Sequence, residues 1–140
     1  SQSQLEALNS AMPDVLITNQ VECSPLQMAP IEDGTFDQAQ RLGMRPMLWS
    51  CLAGGRLLAP ETPQEHAVVE ALSIVAKELN TSSIEVVAYA WLMALPCKPH
   101  PILGTSKIER VRTAVEAIDI SLTREQWYRI WEASNGASVP

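Results

Sequence analysis

Short apolar runs alternate with amphipathic helical patterns along this chain, and that alternation constrains its fold more than any other feature. Residues 15–21 combine Val15, Leu16, Ile17 and Val21 in a run that reads as a buried strand. Residues 45–50 and Pro101-Ile102-Leu103 read as two more. Helical periodicity fills the intervals. Ser3 and Glu6 read as a capping box ahead of Leu5, Leu8 and Met12, with Pro13-Asp14 as the stop. Residues 26–33 read as loop, and residues 35–42 as a short helix ended by Gly43. Thr62, Pro63 and Glu65 open a helix carrying Val68, Leu72, Val75, Ala76 and Leu79 on one face. Ser82 and Glu85 read as the box for a helix with Val87, Trp91, Leu92 and Leu95 inward. Ser106 and Glu109 read as a fourth box, before Val111, Val115 and Ile118. Thr123 and Gln126 open the last helix, with Trp127, Ile130 and Trp131 on one face and Gly136 at its end. Apolar strands joined by long helical crossovers indicate an α/β fold with a parallel sheet covered on both faces. Three strands leave two open edges, so a larger sheet or barrel is expected.

The bulk properties narrow the class. The chain has 140 residues, 46% of them hydrophobic, which is enough for one ordinary domain. Its net charge of −6 argues against a general nucleic-acid surface. Basic residues nonetheless gather late, at Lys107, Arg110, Arg112, Arg124 and Arg129, and a local positive pocket suits a small anion. Cys23, Cys51 and Cys97 are odd in number and lack metal-like spacing, so a reduced, cytoplasmic setting is expected. Residues 84–97 form the longest apolar stretch, too short and too mixed for a membrane span. The chain opens on a helix signal, without a methionine or a leader pattern, so a preceding segment is expected.

The most informative segment is residues 101–110. An apolar run ends in Gly104-Thr105-Ser106-Lys107, and a helical pattern with Arg110 follows at once. Two hydroxyls, two cations and free backbone N–H groups at a helix start form a ready anion site. The competing reading is that Ser106 and Glu109 only cap a helix whose cations are solvated.

Three passages in register carry a resemblance. Residues 18–25 (TNQVECSP), residues 49–57 (WSCLAGGRL) and residues 101–110 (PILGTSKIER) resemble the C-terminal half of an aldo-keto reductase of the bacterial oxidoreductase type. They look like that family's strands six, seven and eight with the loops that follow. The resemblance implies a single segment, residues 1–140, supplying the C-terminal part of a (β/α)8 TIM barrel. Such a barrel typically needs about 250 residues. It further implies NADP as cofactor, a small carbonyl substrate, and reduction of an aldehyde or ketone by hydride transfer. The family's catalytic aspartate, tyrosine, lysine and histidine come from earlier strands, so no catalytic residue is assigned here. Tyr89 and Tyr128 lie in helical patterns and do not match the family's tyrosine.

By the same resemblance, Gly104, Thr105, Ser106, Lys107 and Arg110 would hold the 2′-phosphate and ribose, with Arg110 stacking on the adenine or pairing with the phosphate in a forked geometry. Trp49 would stack on the nicotinamide, and Gln20 would bond its carboxamide. Ser50, Cys51, Leu52, Gly54 and Arg56 would follow the pyrophosphate, Gly54 and Gly55 allowing close backbone approach. Local sequence leaves other readings open: Trp49 as a core residue, Gln20 as a buried structural amide. His66 and His100 are lone histidines read as surface or structural, Arg112 as a surface charge, and Trp91, Trp127 and Trp131 as packing. No metal is expected. A chain of this kind would bind cofactor without catalysing alone, and would need the remaining half-barrel or self-association. The alternatives are a non-enzymatic nucleotide-binding or interaction module, or a truncated fragment.

Overall fold

A computed structural model describes residues 1–13, 15–81 and 83–138. Helix α1 (Gln2–Ala11) leads to strand β1 (Gln20–Glu22), then helices α2 (Ala29–Glu32) and α3 (Thr35–Arg41). Strand β2 (Met47–Trp49) is followed by a 3-10 turn (Ala53–Gly55), then α4 (Pro63–Glu78) and α5 (Ile84–Met93). Strand β3 (His100–Pro101), α6 (Ile108–Glu116), a second 3-10 turn (Ala117–Asp119) and α7 (Arg124–Asn135) complete the chain. The strands form one sheet in the order β1-β2-β3, and both pairings are parallel. Glu22 lies opposite Trp49, and Leu48 opposite Pro101. The parallel α/β architecture expected from the alternation is therefore present.

The helix starts follow capping chemistry closely at two places. Thr62 caps α4 through Glu65 N–H, and the Glu65 carboxylate accepts from Thr62 N–H at 3.1 Å and Glu61 N–H at 2.8 Å. Thr123 and Gln126 make the same reciprocal pair at α7, whose end is Gly136 at φ 71°. Elsewhere the expected register slips. Ser1, not Ser3, caps α1, with Gln4 as its partner. Glu6 is instead drawn to Arg41 at 2.6 Å and Gln38 at 3.1 Å on α3. Helix α5 is capped by Ser83, whose hydroxyl accepts from Glu85 N–H. The expected box at Ser82 lies outside the described residues, as does the Asp14 end of the first helix stop. Helix α6 begins at Ile108 with Lys107 as its cap residue, and no side chain caps it. Thr105 Oγ1 takes the Lys107 N–H at 3.1 Å, which leaves Ser106 one position too early to serve.

The strand readings were too long. Residues 15–19 are not strand, and Val15 and Ile17 are 62% and 82% exposed rather than buried. Among the described residues β1 pairs with β2 alone, so no further strand flanks that run. Beyond β3 the ladder continues only through Ile102 N–H to Leu48 O, at 2.7 Å. Part of the expected loop 26–33 is helical, because Pro30 is fitted to the first turn of α2. Ile108, Val111 and Val115 on α6, and Ile118 in the 3-10 turn after it, are exposed.

The core sits between the sheet and helices α4, α5 and α7. Residues 86–92 of α5 are all buried, against Leu48, Leu57, Val68, Leu72 and Val75. Trp91 and Trp127 stack with centroids 5.0 Å apart and planes 10° from parallel. Each indole N–H donates to the other residue's carbonyl, at 3.0 and 3.1 Å. Both indole N–H donors are thus satisfied while α5 and α7 are clamped together. Among the described residues, no helix is long and apolar enough to cross a membrane.

The three cysteines are free and buried. Burial pushes the Cys23 thiol up to about 12, with Cys51 and Cys97 adding to it. Burial also pushes Cys51 and Cys97 up to about 11 each. Thiols held this far from ionisation are poor nucleophiles. The native protein should resist an aromatic disulfide reagent at about pH 8 and react once unfolded; rapid labelling of the native state would contradict this.

Acid should act partly through Glu65. Its carboxyl is held below its ordinary value of 4.5, first by Glu61 N–H, then by Thr62 N–H, with Arg56 assisting. A depressed folded pKa contributes stability above the unfolded pKa and loses it as pH falls through the folded value. Urea titrations should therefore show Glu65→Gln less stable at neutral pH, the gap closing as pH falls below about 4.5. A gap independent of pH would count against this account.

Candidate functional site

Parallel strands bring their C-terminal ends to one edge of the sheet, and the loops after β2 and β3 meet there. Residues 49–55 form one wall. Trp49 is 43% exposed at the end of β2, so it is not a core residue of this chain. The backbone then turns through left-handed conformations at Ser50 (φ 57°), Ala53 (φ 54°), Gly54 (φ 65°) and Gly55 (φ 99°). The two glycines adopt this freely, but Ser50 and Ala53 each carry a cost of about 1–2 kcal/mol. Strained non-glycine residues persist where the surroundings over-determine them, commonly at ligand sites. Among the described residues, the N–H groups of Cys51, Leu52 and Gly54 pair with no backbone carbonyl.

The loop after β3 forms the opposite wall. Gly104, Thr105 and Arg110 line the same cleft of about 360 Å3 as Trp49, Ser50, Cys51, Leu52 and Gly54. Among the described residues, the N–H groups of Thr105, Ser106, Ile108 and Glu109 also lack backbone acceptors. Because neither Ser106 nor Glu109 closes the start of α6, these donors stay available at the positive end of the helix dipole. Gly104 has open space where a Cβ would stand.

The remaining expected positions are placed differently. Ser106 and Lys107 are exposed beside the cleft, and no carboxylate among the described residues pairs with Lys107. Arg56 turns away from the cleft: its Nη1 lies 3.2 Å from Glu65, and its Nε donates to Ala53 O at 3.1 Å. Gln20 begins β1 and is exposed, which removes the buried-amide reading. The parallel register puts Gln20 and Glu22 on the sheet face of Trp49, since alternate residues share a face. His66 and His100 are exposed, and Arg112 is a surface charge.

Three cleft residues were not expected: Leu58, Tyr89 and Ile102. Tyr89 lies within the helical pattern of α5 and lines the cleft. The signal lay in its spacing from Glu85, one helical turn earlier on the same face. Burial raises the Tyr89 hydroxyl to about 12, Cys51 and Glu85 add to the rise, and Arg110 opposes it. Tyr89 is therefore a neutral hydroxyl at neutral pH. Arg110 itself is held by Glu85, with Nη2 3.2 Å from Oε1 and Nε 3.4 Å from Oε2.

Residues 1–135 match the Aldo/keto reductase family. The chain is 51% identical over 138 residues to Oxidoreductase YdhF of Escherichia coli, covering 99% of this chain and 46% of that protein. It is 40% identical over 140 residues to 6-dehydroglucose reductase of Novosphingobium aromaticivorans, covering 100% of this chain and 46% of that protein. The chain thus spans about half the length of the curated relatives it matches. Among solved structures, a Gox0644 variant in complex with NADPH superposes with a TM-score of 0.73 at 17% identity, over 95% of this chain and 44% of that one. The thermostable aldo-keto reductase Tm1743, in complex with the inhibitor epalrestat, gives 0.71 at 21% identity, over 92% and 44%. A parallel sheet with its loops gathered at one edge, and a family match over nearly every residue, lead to one conclusion: the chain belongs to the aldo/keto reductase family.

Proposed function

We propose that this chain is the C-terminal part of a (β/α)8 barrel and carries the cofactor groove of an NADP-dependent oxidoreductase acting on aldehydes or ketones. The observation that carries the reading is the single cleft between the loops after β2 and β3, with Trp49 at one end and the open start of α6 at the other. An indole face is suited to a flat apolar ring, and free N–H groups with an unpaired lysine are suited to phosphate. The relative solved with NADPH supports the same cofactor.

A nicotinamide dinucleotide would supply the hydride. This chain's residues would bind and orient. Trp49 would fix which face of the nicotinamide meets the substrate, and Gln20, on the same sheet face, would meet its carboxamide. Cys51, Leu52 and Gly54 would offer N–H groups to the pyrophosphate, and Thr105, Ser106 and Lys107 would take the 2′-phosphate. Arg56, committed to Glu65, would serve by holding the loop rather than by meeting the ligand. The proton donor would come from a part of the barrel outside this chain. Among the described residues β1 and β3 each keep one edge without a strand partner, and these edges, with the exposed apolar residues Ile108, Val111, Val115 and Ile118, fit a barrel completed by further elements.

NADPH and NADH titrations, followed by tryptophan fluorescence of the whole protein, test this. Lys107→Met should weaken NADPH about tenfold and leave NADH nearly unchanged, since an ionic hydrogen bond to phosphate is lost. Trp49→Ala should weaken both about fivefold. The 140-residue chain alone should show no hydride transfer, since binding without transition-state contacts does not raise the chemical rate. Absence of NADPH binding by the unaltered protein, or turnover by the chain alone, would contradict the reading.

A further inference from the structure

Arg110 occupies an unusual electrostatic position. It sits in the first turn of α6, where the helix dipole disfavours a cation. Its compensation comes from another element: Glu85, in the first turn of α5, where the dipole favours an anion. Ser83 fixes the Glu85 backbone by accepting its N–H at 3.2 Å. The Glu85 side chain does not fold back on its own helix start, as Glu65 does on α4. It crosses to α6 and takes the Nε and Nη2 edge of the guanidinium with both carboxylate oxygens, at 3.4 and 3.2 Å. The Glu85 side chain is 15% exposed and that of Arg110 35%, so solvent screens the pair only in part.

The geometry determines what Arg110 still has to offer. Its charge is balanced, and one edge is occupied. Among the described residues no hydrogen bond engages its Nη1, and the side chain lines the wall of the cleft. Lys107, one turn earlier, keeps an unbalanced charge among the described residues. We propose that Glu85 is a positioning residue that holds Arg110 as a stacking surface for the purine end of the dinucleotide and leaves recognition of phosphate charge to Lys107. This rests on the cofactor reading above and adds to it the residue that orients Arg110.

A double-mutant cycle on cofactor affinity in the whole protein tests it. Glu85→Ala should weaken NADPH and NADH alike, by about tenfold, the scale of one guanidinium–ring contact with its orientation. Arg110→Ala should do the same, and the double variant should be no worse than Arg110→Ala alone. Glu85→Gln, which keeps an acceptor, should recover part of the loss. The losses should raise the cofactor KM by more than they lower kcat. Thermal melting of each variant identifies losses due to unfolding, and Glu85→Gln serves as the readout if Glu85→Ala does not fold. Additive losses would make the pair a structural tie between α5 and α6 and overturn the proposal. Selective tightening of NADPH on removing Glu85 would also overturn it, since Arg110 would then be reading phosphate. If the unaltered protein bound neither cofactor, the cofactor reading would fail first, and these arms separate the two failures.

Discussion

Everything at the candidate site hangs on the burial of α5. Residues 86–92 are covered on all sides, so this helix has one admissible position against the sheet. From that position it sends Glu85 to Arg110, Tyr89 into the cleft and Trp91 into the pair with Trp127. Large-to-small changes along it would cost about 2–5 kcal/mol each, because a close-packed layer cannot collapse around the void. The two walls of the cleft are loops, but α5 sets the distance between them.

The walls themselves use two different devices. The loop after β2 is held by left-handed residues, including Ser50 and Ala53, and by the anchoring of Arg56 on Glu65. The loop after β3 is held by Thr105 and by the first turn of α6, whose donors are left open. One wall stores strain and the other stores unpaired polarity. The unpaired donors are the feature that a bound anion would satisfy.

Much of the fold was legible in the sequence, because apolar period and capping chemistry are local. Thr62 with Glu65 and Thr123 with Gln126 marked their helix starts to the residue. What failed was non-local. Glu6 was expected to cap its own helix, but Arg41 on α3 competes for it. Val15 and Ile17 looked buried because strands of that composition usually have neighbours on both sides, and β1 has one. The site was legible as a set of segments but not as pairings. The sequence shows Arg56 and Arg110 equally as cations near loops. Only the packed structure shows Arg56 spent on Glu65, and Arg110 held at the cleft by a residue from another helix.

The central claim is that one groove holds a dinucleotide in one direction, ring at Trp49 and phosphate at the start of α6. Amide and indole chemical shifts of the isotope-labelled whole protein, titrated with the two halves of the ligand, test it most directly. Adenosine 2′,5′-bisphosphate should shift the amides of residues 104–110 and spare the Trp49 indole, while nicotinamide mononucleotide should do the reverse. If the bisphosphate moved the Trp49 indole and left residues 104–110 unchanged, or if both halves left both regions unchanged, the account would be contradicted.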